Sequence, residues 1–452
     1  MTGFSALNNA AQALAAQRYA IDVTGRNIAN ANTDGYTRER ADVTATGGPA
    51  GVPRLHATAN AASGTATVSG TSRLNDPVLD ARARSEHATG SYLDTKSTTM
   101  NSIESLVDEP SDNGLAEQLS SFWNSWSGVQ NNPGDTTARN AVLSSASSVV
   151  ATLHSISGGL SDLAADTQTA LTNTVAQINQ AAQSVASLNA QIRIATATGS
   201  VDPAVLDQRD AQLNTLAQLG GATAAQQTDG TVTVTMGGQT LVSTVTAATV
   251  AVDPSNQVTV GGNTAALTGG TALAQSQTLT TTIPGYQAQL DSVAAGLASA
   301  VNSVHASGYD LSGAAGGAFF TGTTAATISV AITDPSKVAA SATGSGTGDL
   351  DGSVAATLAT LGSAATGPDA TYRKFVTSLG SDVQSATQQS ALQTTITSNV
   401  DTLQASVSGV NYDDEVTNLL TYQRAYQASS RVLTTIDDML DTLINRTGRV
   451  GI

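Results

Sequence analysis

Cysteine is absent from the 452-residue chain, which excludes a disulfide scaffold, a thiolate zinc site and a thiol nucleophile. Charged residues are scarce at 12%, about half the usual share of roughly 25%. Aromatics come to 4%, so few large anchors are available. Lysine occurs only at Lys96, Lys337 and Lys374, and none closes a Gly-x-x-x-x-Gly-Lys run, so no phosphate-cradling loop is expected. No apolar run reaches the roughly 18 residues that a membrane-spanning helix needs. Positive charge is the scarcer sign: 19 Lys and Arg against 35 Asp and Glu give a net charge of −16. Such a surface repels phosphate backbones and anionic lipid, which argues against nucleic-acid and membrane partners. The N-terminus also lacks the basic start and apolar block of a cleaved secretory signal. Taken alone, that points to the cytoplasm or to an export route that leaves the N-terminus uncleaved.

The chemistry that remains is thin. His56, His87, His154 and His305 lie far apart, and none sits in a metal-ligand spacing. Asn30-x-Asn32-x-Asp34-Gly35 matches the opening of a calcium loop, but position twelve, where that loop needs Glu, is Ala41. A helix cap followed by a turn explains the same residues. Asp413, Asp414 and Glu415 suit the positive end of a helix dipole and have no acid–base partner nearby in sequence. No catalytic residue, metal or cofactor is expected, and the chain reads as a non-enzyme.

Helical periodicity is what the sequence does carry. Phe4, Leu7, Ala11, Leu14, Arg18, Ile21, Gly25 and Ile28 alternate three and four apart, a heptad seam over an expected helix at 4–33. A clearer seam closes the chain: Leu419, Tyr422, Tyr426, Ser429, Leu433, Ile436, Leu440 and Leu443. Between them, period 3.6 gives way to period two near Val232-x-Val234-x-Met236, with a Gly237-Gly238 turn. The fold class expected is mainly α with a small β insert: terminal coiled-coil helices plus an elongated helical rod that carries a β-rich outer domain. The segments are 1–40, an N-terminal helix; 41–75, an extended connector; 76–221, the rod's first part; and 222–276, the β insert. They continue with 277–307, the rod's second part; 308–365, Gly/Ala/Ser-rich with short strands; 366–407, its third part; and 408–452, the C-terminal helix. Burying Phe4, Leu7, Leu14, Ile21 and Ile28 gains roughly 1.5–3 kcal/mol each. Ordering the backbone costs about 1–2 kcal/mol per residue. The N-terminal helix therefore needs partners on more than one side.

Ile28-Ala-Asn-Ala-Asn-Thr-Asp-Gly-Tyr36, followed by Thr37-Arg38, resembles the N-terminal signature of bacterial flagellar axial proteins, the rod, hook and hook-associated family. The run from Ser408 to Ile444 is similar to that family's C-terminal signature. Leu206-Asp-Gln-Arg-Asp210, Asn418-Leu-Leu-Thr-Tyr-Gln423, and Gly308-Tyr-Asp-Leu followed by Phe319-Phe320 look most like its hook-associated branch. Asp34 stands where many members have Pro, and the β region is shorter than in larger ones. The resemblance implies that both ends pair as an inner coiled coil and that the subunit polymerises at the hook tip, joining hook to filament. It implies secretion through the flagellar export apparatus without signal cleavage. The implied partners are copies of itself, hook protein, a second junction protein, and a cytoplasmic export chaperone on the C-terminal helix. The implied assembly interface comprises Phe4, Leu7, Leu14, Ile21, Asn27, Ile28, Asn30, Asn32, Gly35 and Tyr36 at one end. At the other end it comprises Leu419, Tyr422, Tyr426, Leu433, Ile436, Leu440 and Leu443, with Asn27, Asn30 and Asn32 fixing register. A hook or rod protein, the second junction protein, or a secreted adhesin are the alternative readings.

Overall fold

The computed structural model describes residues 2–46, 65–199, 201–344 and 351–442. Helix α1 (Thr2–Ala29) ends earlier than the expected residue 33. Asn30 stops it: its Nδ2 donates to the Arg26 carbonyl (3.0 Å), its own carbonyl accepts from Thr33 N–H, and Gly35 follows at φ +78°. That is the cap and turn expected in place of a calcium loop. Within the stretch read as an extended connector, residues 47–64 lie outside the described residues, and the described flanks pair. Strands β1 (Glu39–Thr46) and β2 (Thr65–Arg73) run antiparallel, with a register shift between Asp42 and Val43. The hairpin lies on α1, where the Tyr19 hydroxyl is 2.6 Å from Thr71 Oγ1.

Helix α2 (Pro77–Val107) starts where Asp76-Pro77 predicts, with the Asp76 carboxylate accepting from Val78 and Leu79 N–H. Next come α3 (Leu115–Asn131), α4 (Thr136–Thr198) and α5 (Pro203–Gly220). At 63 residues α4 is about 95 Å long. The β insert forms two antiparallel sheets. One joins β3 (Thr223–Gln226), β4 (Val232–Met236), β5 (Gln239–Ser243) and β6 (Thr246–Ala247). The other joins β7 (Val250–Val252), β8 (Val258–Val260) and β9 (Asn263–Thr264).

Helix resumes with α6 (Thr271–Gln277), earlier than the expected start of the rod's second part at 277, and a π-helical turn (Thr278–Thr282) leads into α7 (Ile283–His305). The threonine run hid it, because β-branched residues read as poor helix formers. In the Gly/Ala/Ser-rich segment the strands are two residues long, β10 (Phe320–Thr321) pairing antiparallel with β11 (Ser329–Val330). The rest is α8 (Ser353–Ala359), α9 (Pro368–Ser408) and α10 (Tyr412–Asp441). α9 lies along α2, and α10 along α1.

Two hydrophobic cores divide the rod. One holds both tryptophans and four of the five phenylalanines: Phe122 sits among Trp123, Trp126, Phe319 and Phe320, with centroids 4.8–6.2 Å apart. Trp126 is fully buried, so Trp126→Ala is expected to cost about 3–5 kcal/mol in urea unfolding. The other core seats the β insert on α4 and α5 through Leu171, Ile178, Val185, Leu216, Val234 and Leu241.

His305 closes the aromatic core as a neutral ring. Its Nδ1–H donates to the Gly317 carbonyl (2.7 Å), and its Nε2 accepts from Ala339 N–H (2.8 Å). Burial, reinforced by the Arg139 charge, holds its pKa below the ordinary 6.5. In acid the unfolded chain takes up a proton there that the folded chain refuses, so stability falls as pH drops below about 6.5. Thermal melts from about pH 7 to pH 5 should show this slope, reduced in His305→Asn.

Candidate functional site

α1 ends where α10 begins, so the two chain ends lie antiparallel. The face that α1 buries is made of small side chains: Ala10, Ala16, Ala20 and Val23, then Thr24 and Asn27. It sits about 140° round the helix from the seam read in the sequence. Leu7, Leu14, Ile21 and Ile28 are accordingly half-buried. Alanine lets the backbones approach closely and leaves the larger side chains along the rim. On α10, Leu419, Tyr422, Tyr426, Leu433 and Leu440 are also half-buried, and Ile436 is buried. Phe4 lies on α1, outside the residues whose side chains are described, and Leu443 lies outside the described residues.

A buried polar knot joins the two ends. Asn27, 1% exposed, donates through Nδ2 to the Glu39 carbonyl (2.9 Å) and to Glu415 Oε2 (3.1 Å). Its Oδ1 accepts from Glu39 N–H (2.9 Å) and from the Tyr36 hydroxyl (2.9 Å). All four bonding positions of the amide are therefore filled. Glu415, 2% exposed, is held on its other oxygen by Arg38, whose Nη2 lies 2.6 Å away. Arg26 pairs with Glu39 at 2.7 Å. Burial, then the Glu39 charge, raises the Tyr36 pKa, so its hydroxyl stays a donor. Arg38 N–H donates to the Ser408 carbonyl, tying the knot to the end of α9.

A second set of ion pairs ties this unit to the rod. Arg73, on β2, lies 2.8 Å from Asp207 and 2.7 Å from Asp210 on α5, and also donates to Thr37 Oγ1. Thr37 N–H donates to Asp207 Oδ2 (3.3 Å). Burial pushes the Asp207 pKa up, against the pull of Arg73. The run Leu206-Asp-Gln-Arg-Asp210 thus serves as the fastening of α5 to the hairpin. An open cleft of about 1140 Å³ separates the terminal unit from α5, with Tyr19, Arg26, Tyr36 and Asp207 on its walls.

Of the three asparagines expected to fix register, the structure brings only Asn27 into the inter-helix contact. Asn30 bonds within its own turn, and Asn32 and Gly35 are exposed. Glu39 and Arg73 were not singled out from sequence, Arg38 entered only as the end of the N-terminal signature, and Glu415 only as a companion of the helix dipole. For Glu415 a signal existed: it lies four residues before Leu419, so it continues the α10 seam backwards, and a carboxylate on a seam needs a partner. Among the described residues, no group of three or more His, Asp or Glu side chains could hold a metal.

Comparison with known proteins follows this architecture. Residues 100–320 match the family model "Flagellar hook-associated protein FlgK helical domain". Residues 7–37 match that of flagella basal body rod proteins, and residues 403–446 that of the rod protein C-terminal region. The chain is 28% identical to flagellar hook-associated protein 1 of Bacillus subtilis, over 99% of each chain. It is 26% identical to the protein of that name from Escherichia coli, over 98% of this chain and 99% of the other. A solved structure, the flagellar hook junction protein FlgK from Burkholderia pseudomallei, superposes with TM-score 0.64 at 18% identity. It covers 73% of this chain and 100% of its own, and shares the fold.

Proposed function

Since the chain belongs to the flagellar hook-associated protein 1 family, we propose that it polymerises at the hook tip as a structural subunit and joins hook to filament. The observation that carries this reading is the Asn27–Glu415–Arg38 knot, which locks together two chain ends 388 residues apart in sequence. A subunit built into a tube wall has to present both ends as one body. The small-residue contact between α1 and α10 does that, and leaves a rim of Leu7, Leu14, Ile21, Leu419, Tyr422 and Leu433 for neighbouring copies. The adjoining partners are hook protein on one side and a second junction protein on the other. An export chaperone holds α10 before secretion, and the final location is the flagellum outside the cell.

Electron microscopy of a deletion strain, with flagellin assayed in the medium, tests this. Complete hooks without filaments, and monomeric flagellin in the medium, are expected. Absent hooks would move the chain to the rod or hook class, and intact flagella would remove the axial reading altogether.

A further inference from the structure

We propose that the joint between the terminal pair and the rod binds a small tetrahedral oxyanion, phosphate or sulfate, between Arg73, Arg84 and Arg209. The site is a pocket of about 430 Å³ with walls from β2, the start of α2, α5 and the β insert. Its charged lining is three arginines, Arg73, Arg84 and Arg209, against two aspartates, Asp80 and Asp210. Positive charge is thus in excess on these walls, in a chain whose net charge is −16. Asp207, the other carboxylate that Arg73 meets, lies on the wall of the larger cleft instead. This site does not depend on how copies of the chain assemble.

What the arginines leave unused points to the ligand. Each carries five N–H donors, no acceptor and a permanent charge. Arg73 meets Thr37, Asp207 and Asp210 through Nη2 alone, and its Nε is buried with no hydrogen-bond partner. Arg209, 5% exposed, donates from Nη1 to the Gly230 carbonyl (2.8 Å), and its Nε is likewise buried without a partner. Arg84 is half-buried and, among the described residues, makes no hydrogen bond or ion pair. Asp80, four residues before it on α2, is engaged elsewhere: Gln404 and Asn75 donate to its two oxygens at 2.7 and 3.0 Å. The three guanidinium groups are near enough to oppose one another. Burial lowers the Arg209 pKa, Asp210 works against that, and the charges of Arg73 and Arg84 lower it further. Gathering part-buried cations with too few acceptors is costly. An oxyanion among them supplies counter-charge and acceptors together. Three planar forks from three elements suit the four oxygens of a tetrahedral ion better than the two of a carboxylate. The acidic surface around the pocket repels polyanions, which leaves a free ion as the ligand. Arg73 belongs to the terminal unit, and Arg84 and Arg209 to the rod, so the bound ion fastens one to the other.

Titration calorimetry of the full chain with sodium phosphate, at constant ionic strength set by sodium chloride, tests this. Saturable binding is expected, with sulfate competing. Arg84→Met keeps the length of the side chain and removes its donors. Because Arg84 bonds nothing in the protein, this variant should melt with the parent chain in chloride and bind phosphate about tenfold more weakly or worse. Arg84→Lys, which keeps the charge without the fork, should fall between the two. Hydrogen exchange at residues 71–76 should slow in phosphate in the parent chain and not in Arg84→Met. Phosphate also raises melting temperatures by general exclusion from protein surfaces, and Arg84→Met reports that contribution alone. A parent chain with neither saturable heat nor a rise in melting temperature beyond that of Arg84→Met would overturn the proposal. Equal phosphate affinity in the two chains would overturn it as well.

Discussion

Replacing Glu415 by alanine is expected to release α10 from α1 while the rod stays folded. The carboxylate is buried, and its removal strands the Arg38 guanidinium and one N–H of the Asn27 amide at once. Breaking a buried pair by deleting one member costs about 3 kcal/mol, because the partner keeps its desolvation without its counter-charge. Arg38 reaches the surface in part, so water recovers some of that loss on its side; Asn27 has no such route. Amide hydrogen exchange checks the result. Protection should fall along α1 and α10 and persist in α3, α4 and α7. Equal loss everywhere would mean that the terminal pair and the rod unfold as one unit. Glu415→Gln, which keeps the size and one acceptor but drops the charge, should fall between the two.

Leu433→Asp should have the larger effect on assembly and the smaller effect on the monomer. Leu433 is half-buried on α10, near the exposed Val432 and Met439. In the free chain a carboxylate there can turn to water. In the proposed polymer every copy would repeat it at a contact between copies, where an unpaired charge is costly. Electron microscopy of the complemented deletion strain is expected to show hooks without filaments, while the purified variant melts with the parent chain. Normal filaments from this variant would mean that the rim of the terminal pair is not an assembly surface.

The parts of this molecule that sequence made legible are those where large side chains repeat at helical spacing. The helix α10 belongs to that class, although Ile436 alone of the seam residues described is buried. The α1 face was misplaced because alanine carries little weight in an apolar pattern. Ala10, Ala16 and Ala20 are nonetheless among the side chains that α1 buries. The pairing of β1 with β2 was out of reach, since nothing local in Thr-rich strands names a partner more than twenty residues away. Glu415 was read as a dipole companion because three acids begin α10, although its place on the seam extended backwards marks it as the one that points inward. The Arg73 pairs with Asp207 and Asp210 explain in contacts what the Leu206–Asp210 run had offered as family likeness alone.

α4 passes through both hydrophobic cores, with Leu153 and Ile156 in one and Ile178 and Val185 in the other. A continuous helix shared in this way behaves as a beam, since a sharp bend between the cores would have to break its hydrogen-bond column. The terminal pair has no such member. The backbone crosses from it to the rod only at residues 74–76 and 409–411, with side-chain ion pairs alongside. Load applied along the molecule is expected to be carried stiffly by the rod and to yield at those two crossings, where the terminal pair can pivot against the rod.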